Sequence, residues 1–248
     1  MSNENGTRTA IVTGGSRGIG RAVVRRLAEQ GYAIVVGYAG NADEAAAAVK
    51  EATAAGAEAF AHRADVADET AVAEMFAAAE ARFGGVDVVL NSAGALYLSP
   101  VADIDLDRLD ALHRTNIRGA FVVAREAARR VRQGGSITLF STSVVGSYHP
   151  AYSAYAASKG AVEALTKVLA REMGGRDVNV NAVAPGPTAT ELFFDGKTDE
   201  EIARLSQANP FGRVGEPHEI AELAAFLASP AGHWVNGQVV KANGGMVL

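Results

Sequence analysis

The sequence predicts a doubly wound α/β domain built on one parallel sheet. Three features of its 248 residues carry that expectation. Short β-branched runs, several of them apolar throughout as strands covered on both faces must be, alternate with longer Ala-rich stretches. The longer stretches carry helical spacing: Ile19, Val23 and Leu27 lie four apart, and Val162, Leu165 and Leu169 follow i, i+3, i+7. The alternation runs from end to end without a linker, repeat or charge block, so residues 1–248 read as a single domain.

Taken in order, the expected strands are Thr9–Thr13, Ala33–Gly37, Glu58–Ala61, Val86–Asn91, Ser136–Phe140, Val178–Val183 and Gln238–Lys241. The doubly wound pattern arranges them as seven parallel strands in the order 3-2-1-4-5-6-7, with helices on both faces and a ligand crevice at the carboxyl ends of the strands. Ala42–Ala55 reads as an exposed helix, because alanine is the strongest helix former. Between Pro185 and Pro210 the alternation lapses. That segment contains Phe193 and Phe194 and reads as a substrate lid within residues 187–212. Tyr32 and Trp234 read as packing residues.

Composition narrows the function. A net charge of −5 disfavours nucleic acid and acidic membrane surfaces as partners. The absence of cysteine excludes disulfides, thiolate catalysis and Cys-based metal sites. No apolar run reaches the roughly 18 residues of a membrane span, and Met1 to Thr7 lack the apolar core of a signal peptide, so the expected location is the cytoplasm. His62, His113, His149, His218 and His233 have no zinc-ligand spacing, and no metal is expected. His149 is a candidate for the substrate pocket or for the surface.

Thr13-Gly14-Gly15-Ser16-Arg17-Gly18-Ile19-Gly20 joins the first strand to the first helix. Glycines here let the backbone turn tightly and approach a pyrophosphate, and the following helix offers free N–H groups and a positive dipole end. Strand, loop and helix at the first crossover are the context in which such a loop binds a dinucleotide. The spacing Gly-x-x-x-Gly-x-Gly resembles the short-chain dehydrogenase/reductase family, and within it the acyl-carrier-protein reductase and carbonyl reductase group. The resemblance runs along the whole chain and implies a single-domain Rossmann fold.

The second strand ends Val36-Gly37-Tyr38-Ala39, followed by Asn41, with no acid before Asp43 to hold a ribose 2′-hydroxyl. Arg17 offers a guanidinium for a 2′-phosphate. Both favour NADP(H) over NAD(H), with Gly14, Ser16, Arg17, Gly18, Ile19, Gly20, Tyr38, Ala39 and Asn41 around the cofactor. The resemblance further implies Asp65 and Val66 at the adenine. It places Asn91, Ala93 and Gly94, in an Asn-Ser-Ala-Gly segment where the family has Asn-Asn-Ala-Gly, along the strand end. It sets Pro185, Gly186 and Thr188 beside the nicotinamide.

Tyr155-Ala156-Ala157-Ser158-Lys159 is the sharpest signal for chemistry. Residues four apart share a helical face, so a cation lies one turn from a phenol. A phenol titrates near about pH 10, and a nearby positive charge lowers that value. It can then exchange a proton with a carbonyl oxygen while a hydride moves. The hydroxyl partner is open between two residues. Thr142 stands thirteen positions before Tyr155, as the family's serine does, whereas Ser143-Val144-Val145-Gly146 matches its Ser-x-x-Gly continuation. Ser143 is preferred and both are kept. Asn116 in Thr115-Asn116-Ile117-Arg118-Gly119 matches the family's asparagine, which holds a water between the lysine and solvent.

The resemblance therefore implies an oxidoreductase that moves a hydride between NADP(H) and a small-molecule carbonyl or alcohol, with Tyr155 and Lys159 touching both reactants. It also implies a homotetramer or homodimer packed through helices beginning near Leu106 and Tyr155. A 3-oxoacyl-carrier-protein reductase is the nearest alternative, and its acidic partner would need a basic surface such as Arg125, Arg129, Arg130 and Arg132. A dinucleotide-sensing regulator is the alternative of another class, and the complete catalytic set weighs against it. The substrate is set by loops at Ala95–Pro100, Ser147–Ser153 and Glu191–Gly212.

Overall fold

The computed structural model describes residues 6–248; of the polar amino-terminal stretch, Met1 to Asn5 lie outside the described residues. Seven strands, β1 (Thr9–Thr13), β2 (Ala33–Tyr38), β3 (Ala59–Arg63), β4 (Val86–Asn91), β5 (Val131–Phe140), β6 (Asn179–Pro185) and β7 (Val239–Ala242), pair in parallel in the order 3-2-1-4-5-6-7. The helices are α1 (Gly18–Glu29), α2 (Ala42–Ala54), α3 (Glu69–Phe83), α4 (Leu106–His113), α5 (Gly119–Arg130), α6 (Val144–Ser147), α7 (Ser153–Glu172), α8 (Glu191–Phe194), α9 (Asp199–Ser206) and α10 (Pro217–Ala228). None is long and apolar enough to cross a membrane.

Side-chain alternation along β1 shows why both faces are covered. Ile11 joins a core with residues of α3, α5 and α7, while Ala10 and Val12 join a second core with residues of α1, α2 and α10. Chain reversal between β1 and β4 leaves a crevice above their carboxyl ends: Thr13 pairs with Gly37 on one side and Asn91 on the other, and its hydroxyl donates to the Asn91 side chain.

Four elements depart from expectation. The Ala-rich helix α2 is not simply exposed: Ala45, Ala48 and Ala52 are fully buried, because small side chains at spacing 3 and 4 let it lie close against α1, β2 and β3. Strand β5 starts five residues early, at Val131, which pairs with Val86 before a register shift. The Gly134-Gly135 pair inside it had disguised the strand as a loop. Trp234 is 97% exposed and packs into no core, whereas Tyr32 is buried and its hydroxyl donates to the Ala228 carbonyl. The basic helix face is also not free. Arg125 pairs with Glu69 at 3.0 Å, Arg129 with buried Glu126 at 3.0 Å, and Arg130 with Glu80 at 2.9 Å. Arg132, in β5, donates to the Gly84 carbonyl and faces Asp87. Each of those four guanidiniums is thus paired with a carboxylate of the chain itself.

Candidate active site

The glycine loop folds as it does because nothing larger fits. A Cβ at Gly14, whose φ is +64°, would sit 2.8 Å from the Ala93 nitrogen, and one at Gly20 would sit 2.1 Å from the Gly14 carbonyl oxygen. Helix α1 then begins with Arg17 at its cap, no side-chain capping bond and no acid in its first turn. Its leading N–H groups and positive dipole end are left open to an anion, as a pyrophosphate requires.

A groove opens from this loop across the strand ends. Gly14, Ser16, Arg17, Gly18, Ile19, Gly20, Tyr38, Ala39, Asn41, Asp65, Val66, Ala93 and Gly94 all line it. Asn91 does not; it is buried below, under the Thr13 hydroxyl. Asp43 and Glu44 sit in the first turn of α2, where the Asn41 side chain accepts from their nitrogens at 3.0 and 3.2 Å, and Glu44 lines the groove while Asp43 does not. Arg17 stands exposed at the rim, held only by a loose 3.5 Å contact to Glu191. Asp65 is tied at both oxygens, accepting from the Ala67 nitrogen at 2.9 Å and from Arg114 at 2.8 Å.

The groove shares Ile19, Ser92, Gly94, Thr190 and Leu192 with a second pocket, so the two are one continuous space. Thr142, Ser143, Tyr155, Lys159, Pro185, Gly186 and Thr188 line this pocket. Thr188 already donates to the Gly186 carbonyl at 2.9 Å. The two candidate hydroxyls differ in their surroundings. The Thr142 hydroxyl stands near the Tyr155 phenol, pulling its titration down against burial, and accepts from the Val144 nitrogen at 3.3 Å. The Ser143 hydroxyl turns the other way, donating to the Ala184 carbonyl at 3.1 Å and accepting from Asn243 at 2.9 Å.

Lys159 is 6% exposed and donates to the Phe140 carbonyl at 2.8 Å, with its ammonium 5.9 Å from the centre of the Tyr155 ring. The electrostatics differ from the simple expectation of a lysine-lowered phenol. Burial pushes Tyr155 up to about 12, with the Thr142 hydroxyl pulling against it, and burial pushes Lys159 down to about 8. Lys159 loses its charge before the phenol would ionise, so it does not offset the burial of Tyr155.

Asn116 occupies a π-helical turn, Arg114–Arg118, between α4 and α5. Such a turn inserts a residue into the helix and re-aims a side chain, a device common at functional sites. Its amide accepts from the Ala95 nitrogen at 2.8 Å and donates to the Ala95 carbonyl and the Ser158 hydroxyl, each at 3.0 Å. It thus clamps the loop after β4 to α7 one residue from Lys159. Gly94 lies between the two: a methyl there would be 3.3 Å from the Lys159 ammonium and 3.5 Å from the Asn116 oxygen.

Sequence reading missed the supporting shell. Ser141 donates to Glu163 at 2.7 Å and so fixes the strand end beside Thr142. Asn243 holds the Ser143 hydroxyl and the Val247 carbonyl. The Ser141–Glu163 and Asn243–Ser143 contacts have no local sequence signature, since each joins residues far apart in the chain. Among the described residues no cluster of His, Asp and Glu is arranged to hold a metal.

Comparison with known proteins agrees with this architecture. The family model described as Enoyl-(Acyl carrier protein) reductase matches residues 14–247. The chain is 44% identical to an NADPH-dependent aldehyde reductase-like protein, chloroplastic, of Arabidopsis thaliana, covering 97% of this chain and 94% of that one. It is 43% identical to a short-chain type dehydrogenase/reductase of Picea abies, covering 98% and 93%. A short-chain dehydrogenase from Burkholderia cenocepacia, solved in complex with NADP, superposes with a TM-score of 0.92 at 34% identity, over 98% of this chain and 99% of that one. With its sheet order, glycine loop and these relatives, the chain belongs to the short-chain dehydrogenase/reductase family.

Proposed function

We propose that the chain is an NADP(H)-dependent carbonyl reductase, moving a hydride between NADP(H) and a carbonyl or secondary alcohol. The observation that carries this reading is the Tyr155 phenol and the Thr142 hydroxyl lining one pocket with the buried Lys159 one helical turn away, in a space continuous with the glycine-loop groove. The names of the Arabidopsis and Burkholderia proteins support the same cofactor.

The bound nicotinamide supplies the hydride. The chain's residues do the rest. Thr142 and Tyr155 together hold the substrate oxygen, and Tyr155 gives it a proton as charge develops there. Lys159 supplies the positive charge that stabilises the phenolate left behind. Asn116 keeps Gly94 and Ala95 in place against the cofactor side of Lys159, and the two short helices α8 and α9 form the lid over residues 187–212. Ser143 positions the strand end through Ala184 and Asn243 rather than touching substrate. Exposed Leu106, Phe121 and Val168 on α4, α5 and α7 support a homodimer or homotetramer through those faces. The cysteine-free composition fits a reducing cytoplasm.

The test follows NADPH absorbance with a panel of aldehydes, ketones, quinones and acyl thioesters. Thr142→Val is expected to lower kcat by about 10²-fold or more, the loss typical of removing a donor to a developing oxyanion. Ser143→Ala should stay within about threefold of wild type on the same scale. A larger loss in Ser143→Ala would reverse the assignment.

Cofactor choice is tested separately. Arg17→Ala should lower kcat/KM with NADPH by about tenfold or more while leaving NADH nearly unchanged, because only the former loses a charge-assisted contact to the 2′-phosphate. A wild type that prefers NADH would overturn the NADP(H) reading.

A further inference from the structure

The second pocket is lined largely by apolar side chains, yet it holds two polar groups without a protein partner. Lys197 is half-buried in its wall, and its ammonium sits 5.1 Å from the centre of the Phe193 ring. Among the described residues it makes no ion pair with a carboxylate and donates no side-chain hydrogen bond. Burial pushes its titration down, while Asp195 and Glu201 stand near enough to favour the charged form without pairing with it. His149 lines the same pocket, and its Nε2 is buried with no hydrogen-bond partner.

Neither group arrives there by a floppy chain. Gly196, at φ +69°, turns the backbone at the end of α8, and the Lys197 nitrogen donates to the Phe194 carbonyl at 3.1 Å. The next residue, Thr198, opens α9 with a capping box to Glu201. Lys197 is therefore held between a helix end and a helix start. His149 lies between Tyr148 and Ala151, both with left-handed backbone at φ 51° and 68°. Non-glycine residues resist that conformation, and such strain gathers where a binding geometry is over-determined.

A half-buried cation paired with no carboxylate among the described residues, in the wall of an apolar space that also holds Tyr155, is the complement of a particular ligand. We propose that Lys197 is a specificity-determining residue for carbonyl substrates that carry an anionic group, a carboxylate in the first instance, at the end remote from the carbonyl. The apolar middle of such a substrate lies along Phe193 and Tyr152, and His149 Nε2 offers a hydrogen bond beside it. A lysine that only covered Phe193 with its stem, its head in water, would not discriminate charge.

This rests on the carbonyl reductase reading, and the test separates the two. A series of ω-oxo carboxylates of increasing length, together with terephthalaldehydic acid, is compared with the corresponding methyl esters, reading kcat/KM with NADPH. Wild type should prefer the acid over its ester for at least one length. Lys197→Met should reduce that acid-to-ester ratio about tenfold or more by loss of a charge-assisted contact, with ester turnover nearly unchanged, and Lys197→Arg should retain the preference. Esters turned over as well as acids at every length, or a ratio that Lys197→Met leaves intact, would overturn the inference and leave the reductase reading standing. No turnover of any acid or ester would bring down both.

Discussion

Tyr155→Phe is expected to lower kcat for carbonyl reduction by about 10³-fold or more, at the upper end of what one positioned proton donor contributes. The substitution removes a single oxygen and keeps the ring, so α7 and the pocket wall retain their packing. It takes away the proton that the substrate oxygen receives and leaves Thr142 as the only hydroxyl on that oxygen. NADPH affinity, read by fluorescence titration, should change by no more than about threefold, because the groove proposed for the dinucleotide lies mainly on α1 and the ends of β1, β2 and β4. Retention of more than about a tenth of wild-type kcat would remove Tyr155 from the chemical step.

The electrostatics of the pair add a pH signature to this prediction. A phenol pushed up to about 12 stays protonated through the neutral range, which suits an acid that must give its proton to a carbonyl oxygen. Lys159, pushed down to about 8, loses its charge first. Reduction should therefore hold steady up to about pH 8 and fall above it, as the charge that stabilises the nascent phenolate disappears. The falling limb belongs to the lysine and not to the tyrosine.

Periodic and local features were legible in the sequence. The seven strands and the glycine loop follow from short-range pattern: β-branched runs, helical spacing, and glycines where a Cβ would collide; the strand order comes instead from the doubly wound fold that the whole pattern resembles. The Tyr155–Lys159 pair was legible as well, because both residues lie on one helix. What escaped was set by contacts across the fold. Where Thr142 and Ser143 sit depends on how the chain bends after β5, which Val183, Pro185 and Asn243 set from a distance. Strand β5 hid its first residues behind two glycines, and α2 hid its buried face because alanine reads the same inside and out. Trp234 shows the converse error, a large apolar residue assumed to be packed and found in solvent.

Lys159→Met should be both inactive and more stable than wild type, and the stability gain should depend on pH in one direction. A buried ammonium whose titration is pushed from 10.5 down to about 8 destabilises the native state by roughly 3 kcal/mol while it stays charged. Below about pH 8 the lysine is charged in both states and that penalty is full. Between about 8 and 10.5 the unfolded chain binds the proton and the native chain does not, so native stability rises with pH and the penalty fades. Methionine fills similar space without charge, but it leaves the Phe140 carbonyl without its donor, which offsets about 1 kcal/mol or more. A net gain of about 1–2 kcal/mol is expected at pH 7, a rise in Tm of roughly 2–8 °C for a chain of this length. The gap between variant and wild type should narrow on going to pH 10. Thermal and urea unfolding of the two proteins at both pH values reads this directly. A variant less stable than wild type at pH 7 would mean that Lys159 supports the fold, and its burial would need another explanation than catalysis. A variant that gains stability while carbonyl reduction falls by about 10²-fold or more would mark Lys159 as a residue kept for function against the interest of the fold.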